Sequence, residues 1–196
     1  MLRLRISHRG TVNLLRGAQG AALLEFAISL PLLVVFVVGI YDFSGAFNQK
    51  QKIEQAAQEG AIIAGAQPTS DIAASNGNPT SLQAVATAVY NSLVGSGVLA
   101  SGACPPPYTA TGGAALTWTY SISGCNGAYP SDKLVITINR GFVSATSTSA
   151  FVVGTVVAIQ YPYHWRFNSV IQLLIPGASY AATTQVTESA TVHNQM

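Results

Sequence analysis

The apolar stretch from Ala21 to Tyr41 constrains the fold more than any other part of this 196-residue chain. An α-helix rises about 1.5 Å per residue, so these roughly 21 residues would form a helix about 30 Å long, which matches the hydrocarbon thickness of a bilayer. A cleaved secretory signal peptide is the alternative, but its apolar region is usually only about 7 to 15 residues long. Its small-residue cleavage site is matched only loosely, by Ser44-Gly45-Ala46. The sequence therefore predicts a membrane-spanning helix.

Basic residues set the orientation that we expect for this helix. Arg3, Arg5, Arg9 and Arg16 precede it, whereas the residues just after it carry both signs of charge. Because Lys and Arg beside a membrane helix tend to stay on the cytoplasmic side, the N-terminus should be cytoplasmic and everything after about Tyr41 should lie outside. The formal net charge of +2 is too small to indicate a nucleic-acid partner.

One acidic residue, Glu25, stands inside the apolar stretch. An ionised side chain costs about 3 kcal/mol at the centre of a membrane helix and less near its end, so it needs a partner. Glu25 lies one helical turn after Ala21, and cleavage after Gly20 would place a positive amine on Ala21. That amine, on the same subunit or on a neighbour, would favour the ionised carboxylate. The alternative is a lone glutamate that reaches the lipid headgroups.

The residues around Glu25 form an ordered series, which reads RGAQG, then AALLEFAISLPLLVVFVVGIYDFSGAF, then KIEQAAQEGA. This series resembles the N-terminal module of TadE-like minor pilins of the tight adherence (Tad, Flp) pilus, over roughly residues 16–66. Its specificity comes from the order of glycine, glutamate, aromatic residue and proline. Gln58-Glu59-Gly60-Ala61 also resembles a stretch of that family, although Gln58 stands where arginine is often found.

The resemblance implies that a prepilin peptidase cuts between Gly20 and Ala21, and that Glu25, with Phe26 beside it, then guides assembly. The implied partners are the lipid bilayer, the peptidase, other pilin or pseudopilin subunits and the Tad inner-membrane assembly machine. The chain would then lie in the bacterial inner membrane or in a pilus. Pro31 stands where the family commonly has proline, and its ring should kink the helix, although membrane helices tolerate proline generally.

Periodicity beyond the membrane predicts an α+β fold. The first helix should continue to Pro68, with small and apolar residues spaced by three and four, namely Ile53, Ala56, Ala57, Gly60, Ala61 and Ala64. A second helix should run from Thr80 or Ser81, which would cap it, to about Val94. We therefore expect a leader at 1–20, the transmembrane helix and its extension at 21–67, and an extracytoplasmic domain at 68–196.

Alternating runs in the C-terminal half predict an antiparallel sheet of about four strands. The runs are Leu116–Ile122, Lys133–Phe142, Phe151–Tyr163 and Ala181–Val192. Gly141 and Gly154 should mark bulges or bends within them. The apolar segment Trp165–Ile175 should pack on the sheet or touch the membrane surface.

Two cysteines, Cys104 and Cys125, fall in the part that we place outside the cytoplasm, where disulfides persist. We expect them to form a disulfide worth roughly 3 kcal/mol by chain entropy, with free thiols or a metal site as alternatives. The scattered histidines and the lack of Cys-x-x-Cys argue against a metal or another cofactor. Catalytic motifs are absent from the sequence, and His164 is interpreted as a packing or hydrogen-bonding residue, so we expect no enzyme.

Three functional hypotheses follow from the sequence. The first is a minor pilin or pseudopilin that is processed and takes part in pilus assembly, surface adhesion or secretion. The second is an unprocessed single-pass anchor that serves the envelope or a secretion machine as a scaffold. The third is a secreted adhesive or binding domain released by signal peptidase.

Overall fold

The computed structural model describes residues 12–72, 78–102, 104–147, 150–167, 172, 177 and 183–195. Within these residues, α1 spans Val12–Ala66, α2 spans Thr80–Gly95 and a short 3-10 helix spans Ala114–Leu116. The strands are β1 (Ala110–Gly112), β2 (Thr117–Ser123), β3 (Lys133–Ser147), β4 (Ala150–His164) and β5 (Thr183–His193). The long N-terminal helix, the second helix and the antiparallel sheet confirm the predicted α+β class.

Across the described residues the sheet is a five-stranded meander in which every strand pairs with its sequence neighbour in antiparallel orientation. The four predicted strands are present, and the prediction missed only how far some of them extend. β1 was not predicted, because three residues are too few to show an alternating pattern. It joins the sheet at its edge, where Thr111 pairs with Thr119.

The two glycines that were expected to disturb the strands lie together at one irregularity. The register between β3 and β4 shifts between Asn139 and Phe142, and Gly141 lies inside that shift. Gly154 pairs with Phe142 at its margin. A Cβ at Gly154 would lie 2.9 Å from the backbone oxygen of Val192, so glycine is needed there for the close approach of β5.

The hydrophobic core lies between one face of the sheet and the two helices. The predicted inner face of α1 is confirmed, since its six small and apolar residues are buried: Ile53, Ala56, Ala57, Gly60, Ala61 and Ala64. The inner face of α2 is also buried, and the sheet contributes large side chains such as Trp118, Tyr120, Ile136 and Ile159. Small residues on α1 let its backbone approach both neighbours closely.

The chain divides into two compact units. The first contains Met1–Phe43 and Arg166–Tyr180, and the large apolar side chains described in its helix are mostly exposed. The second contains Ser44–Trp165 and Ala181–Met196 and holds the core. Most of the apolar segment Trp165–Ile175 lies outside the described residues, so its packing stays a prediction.

The expected side-chain cap of α2 is wrong. Pro79 occupies the N-cap position without a side-chain cap bond, and Thr80 and Ser81 lie in the first turn. Asp71 from the preceding loop supplies the acceptor instead: its carboxylate accepts hydrogen bonds from the backbone N–H of Ser81 at 2.8 Å and from its hydroxyl at 2.9 Å. Burial acts to raise the pKa of Asp71, but the hydrogen bonds from Ser81 and Thr80 outweigh it and lower the pKa below its ordinary value.

We expect Gly60→Ala to destabilise the second unit, because a Cβ there would lie 2.4 Å from Val89 Cγ2 and 3.3 Å from Val157 Cγ1. Overpacking of this kind costs about 1 to 3 kcal/mol. Gly95→Ala is the matched control, since a Cβ at Gly95 meets no atom within 4 Å and alanine favours a helix. Thermal unfolding of the full chain in detergent micelles should show a lower Tm only for Gly60→Ala, and equal Tm values would contradict this packing.

Asp71→Asn should lower stability at neutral pH, because the folded state lowers the pKa of this carboxyl. A carboxyl whose pKa is lowered by folding stabilises the fold at every pH above its unfolded-state pKa, which is about 3.9 for aspartate. This stabilisation is lost as the pH falls through the pKa of the folded state. The difference in Tm between wild type and Asp71→Asn should therefore be largest near pH 7 and shrink below about pH 4. A difference that stays constant from pH 7 to pH 3 would show that the carboxylate charge is not the cause.

Candidate functional site

The predicted processing site lies on α1, where Gly20 and Ala21 are both helical and exposed. A Cβ added at Gly20 would meet no atom within 4 Å. Glycine is less favourable than alanine in a helix by about 1 kcal/mol, so Gly17 and Gly20 both favour local opening here. The bond after Gly20 is thus exposed and lies beside residues of low helix propensity.

Glu25 and Phe26 lie one turn further along α1, and both are exposed. The hydroxyl of Ser29 donates a hydrogen bond to the backbone carbonyl of Glu25, which leaves the carboxylate of Glu25 out of this contact. In the part of the chain that the structure describes, the ion pairs are Lys50–Glu188 and His164–Asp132, and neither includes Glu25. The pairing of Glu25 with an amine therefore stays a prediction.

Pro31 lies inside α1, which continues as a helix on both sides of it. Proline has no backbone N–H, so the carbonyl of Ala27 loses its usual helical donor. Membrane helices accommodate such a carbonyl through side-chain hydroxyls, waters or neighbouring helices. The kink itself stays a prediction.

The surface of α1 around these residues is apolar and exposed. Leu23, Phe26, Leu32, Phe36 and Ile40 each expose more than half of their side-chain surface. The helix from Gly20 onward is long and apolar enough to cross a membrane, and none of its most apolar window is buried within the protein. Soluble proteins rarely expose such a continuous apolar patch, so this surface requires lipid or another protein against it.

Asp42 ends this surface, and the sequence interpretation did not single it out. It is only 2% exposed, and its carboxylate accepts a hydrogen bond from the backbone N–H of Phe167 at 2.8 Å. Both residues belong to the first unit. A buried carboxylate needs such donors, but local sequence carries no signal for this contact, because the two residues are 125 positions apart.

The predicted disulfide between Cys104 and Cys125 is present. Both cysteines are buried, and the hydroxyl of Tyr90 on α2 donates a hydrogen bond to the backbone carbonyl of Cys104 at 2.7 Å. The bond joins the segment after α2 to the connection between β2 and β3. It therefore ties the helical layer to the sheet.

A polar cluster at one end of the sheet was not predicted as a group. His164 Nε2 lies 2.7 Å from Asp132 Oδ2, and His164 Nδ1 lies 3.2 Å from the Thr183 hydroxyl. The imidazole also stacks on Tyr129, with ring centroids 3.5 Å apart. These contacts join the ends of β3, β4 and β5, and we interpret them as structural. Among the described residues, no group of three or more His, Cys, Asp or Glu could hold a metal ion.

Comparison with known proteins found one family that part of this chain is similar to. Residues 20–61 match the family model described as TadE-like protein, which confirms the resemblance over that range. The matched range contains the glycine, the glutamate, the aromatic residue and the proline discussed above. No curated protein and no solved structure matches the chain.

Proposed function

We propose that this chain is a minor pilin or pseudopilin of a Tad/Flp-type bacterial pilus, made as an inner-membrane precursor and processed by prepilin peptidase. The observation that carries the proposal is that the family match at residues 20–61 includes the exposed apolar surface of α1. A match to TadE-like proteins supports association with the membrane and with pilus components. Processing, assembly and the individual partners are our inference from the residues of the helix.

The residues of α1 support two successive surroundings for its apolar surface, which are lipid before assembly and other pilin helices after it. Before assembly, the apolar residues from Ala21 to Tyr41 lie in lipid, and the basic residues before them hold the N-terminus in the cytoplasm. After cleavage, the new amine of Ala21 on one subunit pairs with Glu25 on the same or a neighbouring subunit. A low-dielectric surrounding strengthens that attraction, which favours packing of pilin helices over remaining in the bilayer.

The second unit is proposed to lie outside the cytoplasm, as the extracytoplasmic part of the subunit. A disulfide between Cys104 and Cys125 is compatible with an oxidising compartment. We propose no enzymatic role and no cofactor.

An unprocessed anchor is the second candidate, and one observation favours it: α1 continues without a break through Gly20. Mass analysis of the N-terminus of the chain recovered from native membranes separates the candidates. We expect a mature chain that starts at Ala21. A start at Met1 would support the unprocessed anchor, and a start near Phe47 would support a secreted domain, so either would contradict the proposal.

Gly20→Leu should block this cleavage, since prepilin peptidases cut after glycine in the family that the segment resembles. Gly39→Leu is the matched control on the same helix, because a Cβ at either glycine meets no atom within 4 Å. The Gly39 variant should be cleaved normally. Blocked cleavage in both variants would mean that the effect comes from altering the helix and not from the processing site.

Glu25→Leu should leave cleavage intact and abolish incorporation into pili, because the apolar side chain is compatible with lipid but cannot pair with the amine. Glu25→Gln, which keeps the shape and loses the charge, should give a partial defect. Quantification of the subunit in sheared pili, beside its amount in membranes, measures this directly. Normal incorporation of Glu25→Leu would refute the assembly role while leaving the processing result unaffected.

A further inference from the structure

A cavity of about 740 Å³ lies in the second unit, at the C-terminal end of α1. Its wall combines hydroxyl and amide side chains with apolar ones, including Thr69, Ser70, Gln195, Leu116 and Val153. Arg140 from β3 also lines it. Small-molecule sites have volumes of about 300 to 1,000 Å³ and a few polar groups on a largely apolar wall, so this cavity has the size and lining of a binding site.

Arg140 is the unusual residue of the cavity, because it is charged and only 3% exposed. One of its terminal nitrogens, Nη2, donates a hydrogen bond to the backbone carbonyl of Gln67 at 3.0 Å, just beyond the end of α1. Its Nε and Nη1 atoms are buried without a hydrogen-bond partner among the described residues. A guanidinium has five N–H donors, so the contact at the end of α1 uses only a small part of its capacity.

A purely structural role does not account for these unpaired donors. An unsatisfied buried donor lowers the stability of the fold, and it does so more strongly when the group is charged. A neutral donor could form the same hydrogen bond with the carbonyl of Gln67 without burying unpaired charged donors. Burial lowers the pKa of Arg140 and the charge of Asp71 acts against this lowering, while the Asp71 carboxylate accepts hydrogen bonds from Ser81 and Thr80. The guanidinium therefore keeps unused donors beside the cavity.

We propose that this cavity binds a small acidic sugar, with the sugar carboxylate at Arg140. A guanidinium is the side chain best suited to a carboxylate, because its donors form charge-assisted hydrogen bonds in a fixed plane. The hydroxyl and amide side chains of the wall suit the sugar hydroxyls, and Leu116 with Val153 suits a C–H face of the ring. Because the unpaired nitrogens are buried, this binding mode requires the long side chain of Arg140 to shift towards the cavity. The inference is independent of leader cleavage and of assembly, since it concerns the second unit alone.

Binding should be measured on the full-length chain in lipid nanodiscs, with glucuronate as the probe and glucose as its neutral counterpart. Charge-assisted hydrogen bonds of about 1.5 to 3 kcal/mol correspond to roughly 10- to 150-fold in affinity, so glucuronate should bind at least about 10-fold more tightly than glucose. Acetate should bind more weakly than glucuronate because it lacks the ring. Equal affinity for glucose and glucuronate would overturn the role of Arg140, and equal affinity for acetate would overturn the choice of a sugar.

Variants at the cavity wall separate binding from folding. Val153 and Val143 pair directly across β3 and β4 and are both exposed, but only Val153 is among the residues that line the cavity. Val153→Phe should weaken glucuronate binding at least about 10-fold by filling the cavity, while Val143→Phe should bind as wild type does. Equal binding by both variants would overturn the proposed location.

Arg140→Gln should abolish the preference for glucuronate over glucose, and a thermal melt shows whether this variant is folded. If it is unfolded, Arg140→Lys provides the test, since it keeps the charge but loses the planar donors and should reduce the preference. An unchanged preference in a folded Arg140 variant would contradict the proposal.

Discussion

The apolar side chains of α1 between Ala21 and Tyr41 lie exposed on the protein, and contact with water would cost free energy in proportion to their area. This constraint governs the N-terminal part of the chain, which needs lipid or neighbouring helices as its surroundings. From Ser44 onward the same helix has a face of small residues that packs against α2 and the sheet. One continuous helix therefore carries two surfaces with different requirements, and the change occurs near Asp42, the buried acid at the boundary.

Much of the fold could be predicted because its elements repeat a simple spacing over many residues. The inner face of α1 has a period of 3.6 and the four longer strands have a period of 2, and both periods depend only on local sequence. β1 has three residues and therefore no detectable period. The cap of α2 was mispredicted for a different reason: Asp71 supplies the acceptor from the preceding loop, and local capping rules favour Thr80 or Ser81 instead.

In the candidate site, too, local spacing reveals some residues, whereas others become recognisable only in the folded structure. Gly20, Glu25 and Pro31 could be proposed from sequence because they follow one another on a single helix at fixed spacings, and their roles stay predictions. The contact between Asp132 and His164 could not, because it depends on the antiparallel register that brings the start of β3 beside the end of β4. Arg140 was also missed, since its position inside an alternating strand indicates burial but not which of its donors remain unpaired.

The central claim is that residues 21–41 of α1 face an apolar environment, while the face of small and apolar residues between Ile53 and Ala64 packs inside the folded unit. Single spin labels placed along α1 of the full chain in lipid nanodiscs test it most directly, through their accessibility to oxygen, which concentrates in lipid, and to a polar nickel reagent, which stays in water. We predict high oxygen and low nickel accessibility at positions 23, 28, 32 and 36, and low accessibility to both reagents at 56 and 61. Nickel accessibility at 28 and 32 equal to that at the exposed position 58 would contradict the account.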